Sequence, residues 1–248
     1  MQTRESWEKE HFNAMAKNYE KKYGYSDKFT KYKINKKIDK FTQIVNQFFD
    51  KDIKILEIGC GTGAYTRIYA DKLRNASILA TDISEEMIRV ARKSRAKRKN
   101  LKYEIKSAYR TGLKDSSVEV VCGFYILHHL NVKTVRKEIY RVLKPGGIAY
   151  FYEPNILNPI VFLIKSSQIL KRLIGDSTEE WAINPLRIYK EWNKFKIVET
   201  KTTEFVWPFS FVPLKIKLLL DKFTSFLFPA IPGLKLIGGS VEIYLKKI

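Results

Sequence analysis

The chain has 248 residues, 45% hydrophobic and 29% charged, with 46 Lys and Arg against 26 Asp and Glu for a formal net charge of +20. That length and balance exclude a disordered tail or a disulfide-stapled miniprotein, and allow one substantial core. A positive field of this size attracts anions, whether nucleic acid, anionic lipid or a phosphorylated substrate, without choosing among them. The only cysteines, Cys60 and Cys122, sit in apolar segments and read as reduced buried thiols. The N-terminal MQTRESWEKEHF lacks the apolar run of a secretory signal. Apolar stretches near 156–164 and 223–237 are cut by Lys or Pro before they could cross a bilayer. The expectation is a cytoplasmic protein.

In chain order, residues 1–50 read as helices. Trp7, Phe12, Met15 and Tyr19 recur at spacings near three and four, and Ile34, Ile38, Phe41, Ile44, Val45 and Phe48 repeat the pattern more strongly. From residue 53 the period changes. IKILEI is a short β-rich run, and AYTRIYADKL after it is helical. SILATDI is the next strand, and SEEMIRVARKSRAK opens with the Ser and acidic residues of a helix start. LKYEIKS and VEVVCGFYI are the third and fourth strands. TVRKEIYRVLKPGG is a helix stopped by Pro-Gly-Gly, and IAYFYEP is the fifth strand. Beyond Glu153, NPIVFLIKSSQILKRLIG reads as one amphipathic helix, INPLRIYKEW as another, and FKIVETKTTEF and SVEIYLKKI as strands.

Strands alternating with helices imply right-handed crossovers and a parallel sheet covered on both faces. The fold class predicted is α/β, a doubly wound, mostly parallel, seven-stranded sheet. Residues 1–50 would form a helical lid, 51–155 the ligand-binding core, and 156–248 the remainder of the same domain, with lid insertions at 156–180 and 205–239.

The stretch ILEIGCGTGAYT places Glu57, Gly59, Gly61 and Gly63 where the first strand hands over to a helix. Ligands of open α/β sheets bind at that end of the strands. A phosphate loop would need Lys followed by Ser or Thr after the last glycine, where Ala64-Tyr65 stands, and the dinucleotide fingerprint needs its third glycine one residue later. The second strand ends in Asp82, placed to accept hydrogen bonds from two ribose hydroxyls. Asp82 could also start the next helix, although Ser84 can do that alone. Turn and carboxylate together suit a nucleoside without a pyrophosphate.

ILEIGCGTG, ATDIS, LHHL and RVLKPGG, in this order over roughly residues 40–155, resemble the class I S-adenosylmethionine-dependent methyltransferases, most nearly the small-molecule and lipid group of quinone-biosynthesis type. The resemblance implies S-adenosyl-L-methionine as cofactor. It sets Gly59, Cys60, Gly61 and Gly63 beside its methionine and ribose, Glu57 near its amino group and Asp82 on its ribose hydroxyls. Ile83 and Met87 would flank the adenine, and Gly123 and Phe124 would line the methionine end. Where such relatives carry an acidic residue toward the adenine amino group, this chain has Ser107 and Ala108.

Methyl transfer needs alignment and desolvation, and a base only if the acceptor must lose a proton. The candidates are His128, His129 and Glu153. Two adjacent histidines without carboxylates at helical spacing predict no metal site. GFYIL after the fourth strand lacks the Pro-Pro-aromatic motif of base-amino methylation. Tyr19 and Tyr23 read as lid tyrosines or as packing. In the insert, Trp207, Phe209, Phe211, Phe223, Phe226 and Phe228 accompany Lys215, Lys217, Lys222 and Lys235, which suits an anionic membrane surface or a lipid tail, and also an ordinary lid. The basic run RVARKSRAKRK, 89–99, is a solvated helix face or an anion patch. The first reading is therefore methylation of a small-molecule or lipid-linked acceptor. RNA methylation and a non-catalytic cofactor-binding module are the alternatives, and the sequence sets no oligomeric state.

Overall fold

Seven strands form a single sheet in the order β3-β2-β1-β4-β5-β7-β6. The computed structural model describes residues 3–93, 98–174, 176, 177, 180–206 and 211–248. β1 (Ile53–Ile58), β2 (Ala76–Asp82), β3 (Leu101–Ile105), β4 (Val118–Phe124) and β5 (Leu143–Pro154) run parallel; β7 (Ser240–Lys247) is antiparallel to both β5 and β6 (Phe195–Thr203). The strand order reverses between β1 and β4, which opens a crevice at their carboxyl ends.

Alternation along the strands separates two cores. Ile55, Val120, Cys122 and Tyr150 face α3 (Lys28–Phe48) and α4 (Ala64–Lys72), where Ile38, Phe41 and Tyr69 are fully buried. Leu56, Val121, Ala149 and Phe151 face the other way, against α6 (Val132–Val142) and Trp192. Both cysteines are buried and unpaired, as expected. α3 begins where Asp27 accepts the N–H groups of Phe29 and Thr30, both at 2.9 Å.

α1 (Arg4–Met15) and α2 (Tyr19–Lys22) lie ahead of α3, and α5 (Glu85–Lys93) follows β2. The helix expected over 158–175 is two, α7 (Pro159–Ser166) and α8 (Gln168–Ile174), because Ser167 leaves the helical region at φ −110°, ψ 119°. INPLRIYKEW is a 3₁₀ turn running into the four-residue α9 (Ile188–Glu191), not a full helix. The Pro-Gly-Gly that stops α6 lies inside β5. In the insert, α10 spans Leu214–Leu227; Trp207 and Phe209 lie outside the described residues, as do positions 94–97 of the basic run. Among the described residues no helix is long and apolar enough to cross a membrane.

α10 is inverted. Its buried stripe is polar: Lys217 stands over the Phe29 ring at 5.3 Å, Asp221 takes Tyr32 Oη at 3.1 Å and Lys36 Nζ at 2.7 Å, and Thr224 is buried with them. Leu219, Phe223 and Phe226 point outward, 68%, 57% and 84% exposed. α7 and α8 repeat the pattern, with Lys165 and Lys171 buried and Phe162, Leu163, Ile169 and Leu173 exposed.

Candidate active site

The glycine turn tucks under the end of β2. Gly59, Gly61 and Gly63 all sit at positive φ, 67°, 53° and 75°. A Cβ on Gly59 would stand 2.3 Å from Ile126, and one on Gly63 2.3 Å from the Tyr103 hydroxyl, so both are needed for packing. Gly61 differs: a Cβ there would meet no atom within 4 Å. That is room against bare backbone for a ligand lying on the turn.

Asp82 closes the turn from the side. Its Oδ2 accepts the Gly61 N–H at 2.8 Å and its Oδ1 the Ser84 N–H at 2.9 Å. Each oxygen keeps a further lone-pair site for a hydroxyl. Burial raises the pKa of this carboxyl, while the backbone N–H groups oppose that rise. Ser84 caps α5, its Oγ accepting the Met87 N–H at 3.1 Å, so Asp82 is not needed for the helix start.

Glu57 turns from β1 onto α4. Its Oε2 accepts from Thr66 Oγ1 at 2.5 Å and Tyr69 Oη at 2.8 Å. Burial pushes this carboxyl from its ordinary 4.5 up to about 7, against the two hydroxyl bonds that lower it. A raised folded-state pKa favours folding at low pH: the contribution is complete below about pH 4.5 and is lost as pH rises through about 7. Relative to Glu57→Gln, which cannot ionise, wild-type thermal stability should decline across that window. Melting both proteins from pH 4 to 8 checks it, and a constant difference would contradict it.

Glu57, Gly59, Cys60, Gly61, Asp82, Ile83, Met87, Ala108 and Phe124 line one cavity, together with His129. Gly63, Ser107 and Gly123 stand behind its wall. A Cβ on Gly123 would meet Ile126 at 2.5 Å and the Ile58 carbonyl at 3.1 Å, so its role is close packing. The Ser107 hydroxyl donates to Glu5 of α1, and Glu5 itself lines the cavity. Glu5, 102 residues earlier in the chain, thus places a carboxylate beside Ser107.

An adjoining cavity shares Phe12, Tyr19, Tyr25, Tyr65, Tyr125 and His129 with the first, and reaches Tyr23, Lys37, His128, Glu180 and Glu204. Glu153 is fully buried beneath it. Its Oε1 accepts the N–H groups of Ile126 at 3.0 Å and Leu127 at 2.8 Å, and its Oε2 lies 2.6 Å from His128 Nδ1. His128 Nε2 faces Glu180 Oε1 at 3.2 Å. Burial disfavours the charged imidazole, but bonds and charge from Glu153 and Glu180 outweigh it and push His128 up to about 9.

Sequence reasoning missed Lys37, Tyr125 and Glu204 in the same cavity. Lys37 Nζ donates to Tyr125 Oη at 2.8 Å and sits 3.1 Å from Glu204 Oε1; Tyr125 Oη donates to Glu204 Oε2 at 3.0 Å. Tyr125 and Glu204 both hold left-handed backbone, φ 59° and 62°, a strain that persists where surroundings enforce it. The available signal was Lys37 itself, an interruption of the apolar stripe between Ile34 and Phe41. In the basic run, Arg89 pairs with Glu86, Arg92 donates to the Tyr103 carbonyl and Arg98 pairs with Asp71.

Residues 56–151 match the family model described as a methyltransferase domain. The chain is 34% identical over 131 residues to a demethylmenaquinone methyltransferase of Chlorobaculum parvum, covering 51% of this chain and 53% of that protein. It therefore spans about half the length of the curated relatives it matches. Among solved structures, an S-adenosylmethionine-dependent methyltransferase of Thermotoga maritima superposes with a TM-score of 0.62 at 18% identity, over 97% of this chain and 99% of that one. The [4+2]-cyclase SpnF also superposes, with a TM-score of 0.57 at 16% identity over 84% and 80% of the two chains, so the fold alone does not specify the reaction. Open space over Gly61, the Asp82 carboxylate beside it and the buried Glu57 fit the cofactor the family uses. The match over 56–151 and the sheet order make this core similar to class I S-adenosylmethionine-dependent methyltransferase domains.

Proposed function

We propose that this protein transfers a methyl group from S-adenosylmethionine to a small, lipid-linked acceptor held in the second cavity. The observation that carries the reading is the shared aromatic wall. Phe12, Tyr19, Tyr25, Tyr65 and Tyr125 stand between the cofactor cavity and an adjoining one large enough for a second ligand.

When bound, the cofactor supplies an electrophilic methyl with its own leaving group, so the chain's task is to position and to dry. Asp82 would hold the ribose hydroxyls, Glu57 the ammonium and Glu5 the adenine amino group. Ile83 and Met87 would flank the base. The ring faces of the aromatic wall suit a sulfonium cation and exclude water. Glu153 acts as a positioning residue: both its oxygens are engaged by backbone and by His128, with no path to an acceptor. Ionisation of an acceptor hydroxyl falls to the cluster of His129, His128, Glu180 and Glu8 at the wall both cavities share.

The inverted helices support the lipid-linked class. Burying lysines and aspartate while exposing Leu219, Phe223 and Phe226 is unfavourable in water and favourable against acyl chains. Exposed Lys215 and Lys222 on α10, in a chain of charge +20, favour an anionic leaflet. The relative from Chlorobaculum parvum is named for demethylmenaquinone.

The test is incubation with methyl-labelled cofactor and separate lipid, small-metabolite and RNA extracts, with sedimentation on anionic vesicles in parallel. The expected result is label in the lipid fraction and co-sedimentation that Leu219→Ser/Phe223→Ser/Phe226→Ser abolishes. Label confined to RNA, or cofactor binding with no labelled product in any fraction, would overturn the reading.

A further inference from the structure

Where α1, the turn after β4 and the segment after α8 meet, they bring together four side chains that the mechanism so far uses only as a group. His128, His129 and Glu180 are buried, and one ligand atom from each lies within 4.8 Å of the others. Glu8 joins them from α1, its Oε2 3.2 Å from His129 Nδ1. Neither of those two facing atoms makes a hydrogen bond, although Glu8 is 6% and His129 9% exposed. Buried polar atoms without partners are costly, and two aimed at one point call for a third group between them.

We propose that His128 Nε2, His129 Nδ1 and the carboxylates of Glu180 and Glu8 bind one divalent first-row cation of the Zn²⁺ type.

The donor set favours such an ion. Two imidazoles with carboxylates select zinc-like metals over magnesium or calcium, which prefer all-oxygen shells. Bond lengths of about 2.1 Å place tetrahedral ligand atoms roughly 3.4 Å apart. The separations here are 3.2 Å for His128–Glu180, 3.2 Å for His129–Glu8 and 3.8 Å for His129–Glu180.

A supporting shell is already in place. Glu153 holds His128 Nδ1 at 2.6 Å, which turns Nε2 toward Glu180 and fixes the imidazole as a metal ligand is usually fixed. Lys165 engages Glu180 Oε1 and lies 2.7 Å from Asp176, and the Ser177 N–H donates to Glu180 Oε2 at 3.2 Å, which together orient this carboxylate between the two histidines. Glu8, Glu153, Asp176 and Glu180 bring four carboxylates, against Lys165 and whatever charge His128 carries, so a cation also improves the local charge balance.

The site opens on the second cavity, which provides an entry path. Its consequence, lowering the pKa of an acceptor oxygen bound to the ion, rests on the methyl-transfer reading. The site itself does not, and the experiment reads the metal alone. The sequence expectation of no metal site rests on the neighbours of the two histidines in the chain; Glu8 and Glu180 reach them only through the fold.

The tag-free full chain, freed of metal by chelator dialysis, is titrated with Zn²⁺ and with Mg²⁺, followed by metal analysis and melting. The expected result is one bound Zn²⁺ per chain with a raised Tm, and no response to Mg²⁺. His129→Ala and Glu180→Gln should each weaken Zn²⁺ binding at least tenfold, with folding checked by circular dichroism and by a cooperative metal-free melt. His11→Ala, which removes the remaining histidine, should leave it unchanged. A wild-type chain that takes up no Zn²⁺ overturns the proposal even if a variant fails to fold, as does equal binding by wild type and His129→Ala.

Discussion

Replacing Asp82 by Ala should raise the dissociation constant for S-adenosylhomocysteine at least a hundredfold. Two hydroxyl bonds to a carboxylate are lost, each worth about 1.5–3 kcal/mol, and about 1.4 kcal/mol is a factor of ten. A second loss compounds the first. Asp82 also accepts the Gly61 N–H at 2.8 Å, so the turn on which the ligand lies is released from β2. α5 keeps its Ser84 cap, which confines the damage to the site. Calorimetric titration of both proteins measures the effect, and a change below tenfold would remove Asp82 from the ribose.

Glu153→Ala should be the most destabilising single change in the crevice. It strips acceptors from the Ile126 and Leu127 N–H groups and leaves His128 facing only Glu180. Removing one member of a buried ion pair costs about 3–5 kcal/mol. The pH dependence separates the two parts of that cost. In the metal-free chain His128 is raised to about 9 from 6.5, so its pairing contributes fully below about pH 6.5 and is lost as pH rises through about 9. The backbone bonds persist at both ends. Urea unfolding should therefore give a larger difference from wild type at pH 6 than at pH 9.5. A difference under about 1 kcal/mol at pH 6 would contradict the positioning role.

The parts of this molecule legible in its sequence are those set by local chemistry. Strand runs, the glycine turn and the placing of Asp82 each follow from a few adjacent residues, and the mostly parallel sheet follows from the alternation of strands with helices. What the sequence concealed depends on distant segments meeting. Ser107 looked like a missing acid until Glu5 arrived from α1. His128 and His129 looked isolated until Glu180 and Glu8 closed on them. Ser167 carries no strong helix-breaking signal, so α7 and α8 read as one element. α10 was ambiguous for a different reason: periodicity reveals an apolar stripe but not which way it faces, and here the buried stripe is the polar one.

The central claim is that the Gly61 backbone and the Asp82 carboxylate hold a sulfonium nucleoside. Titrating Gly61→Ala beside wild type tests it most directly, because the added methyl meets no protein atom within 4 Å and strains the fold only through its positive φ. The account predicts one site for S-adenosylmethionine per wild-type chain, and loss of that binding in a variant that still melts cooperatively. A folded Gly61→Ala protein that binds the nucleoside as tightly as wild type, or a wild-type chain that releases no heat with it, would contradict the account.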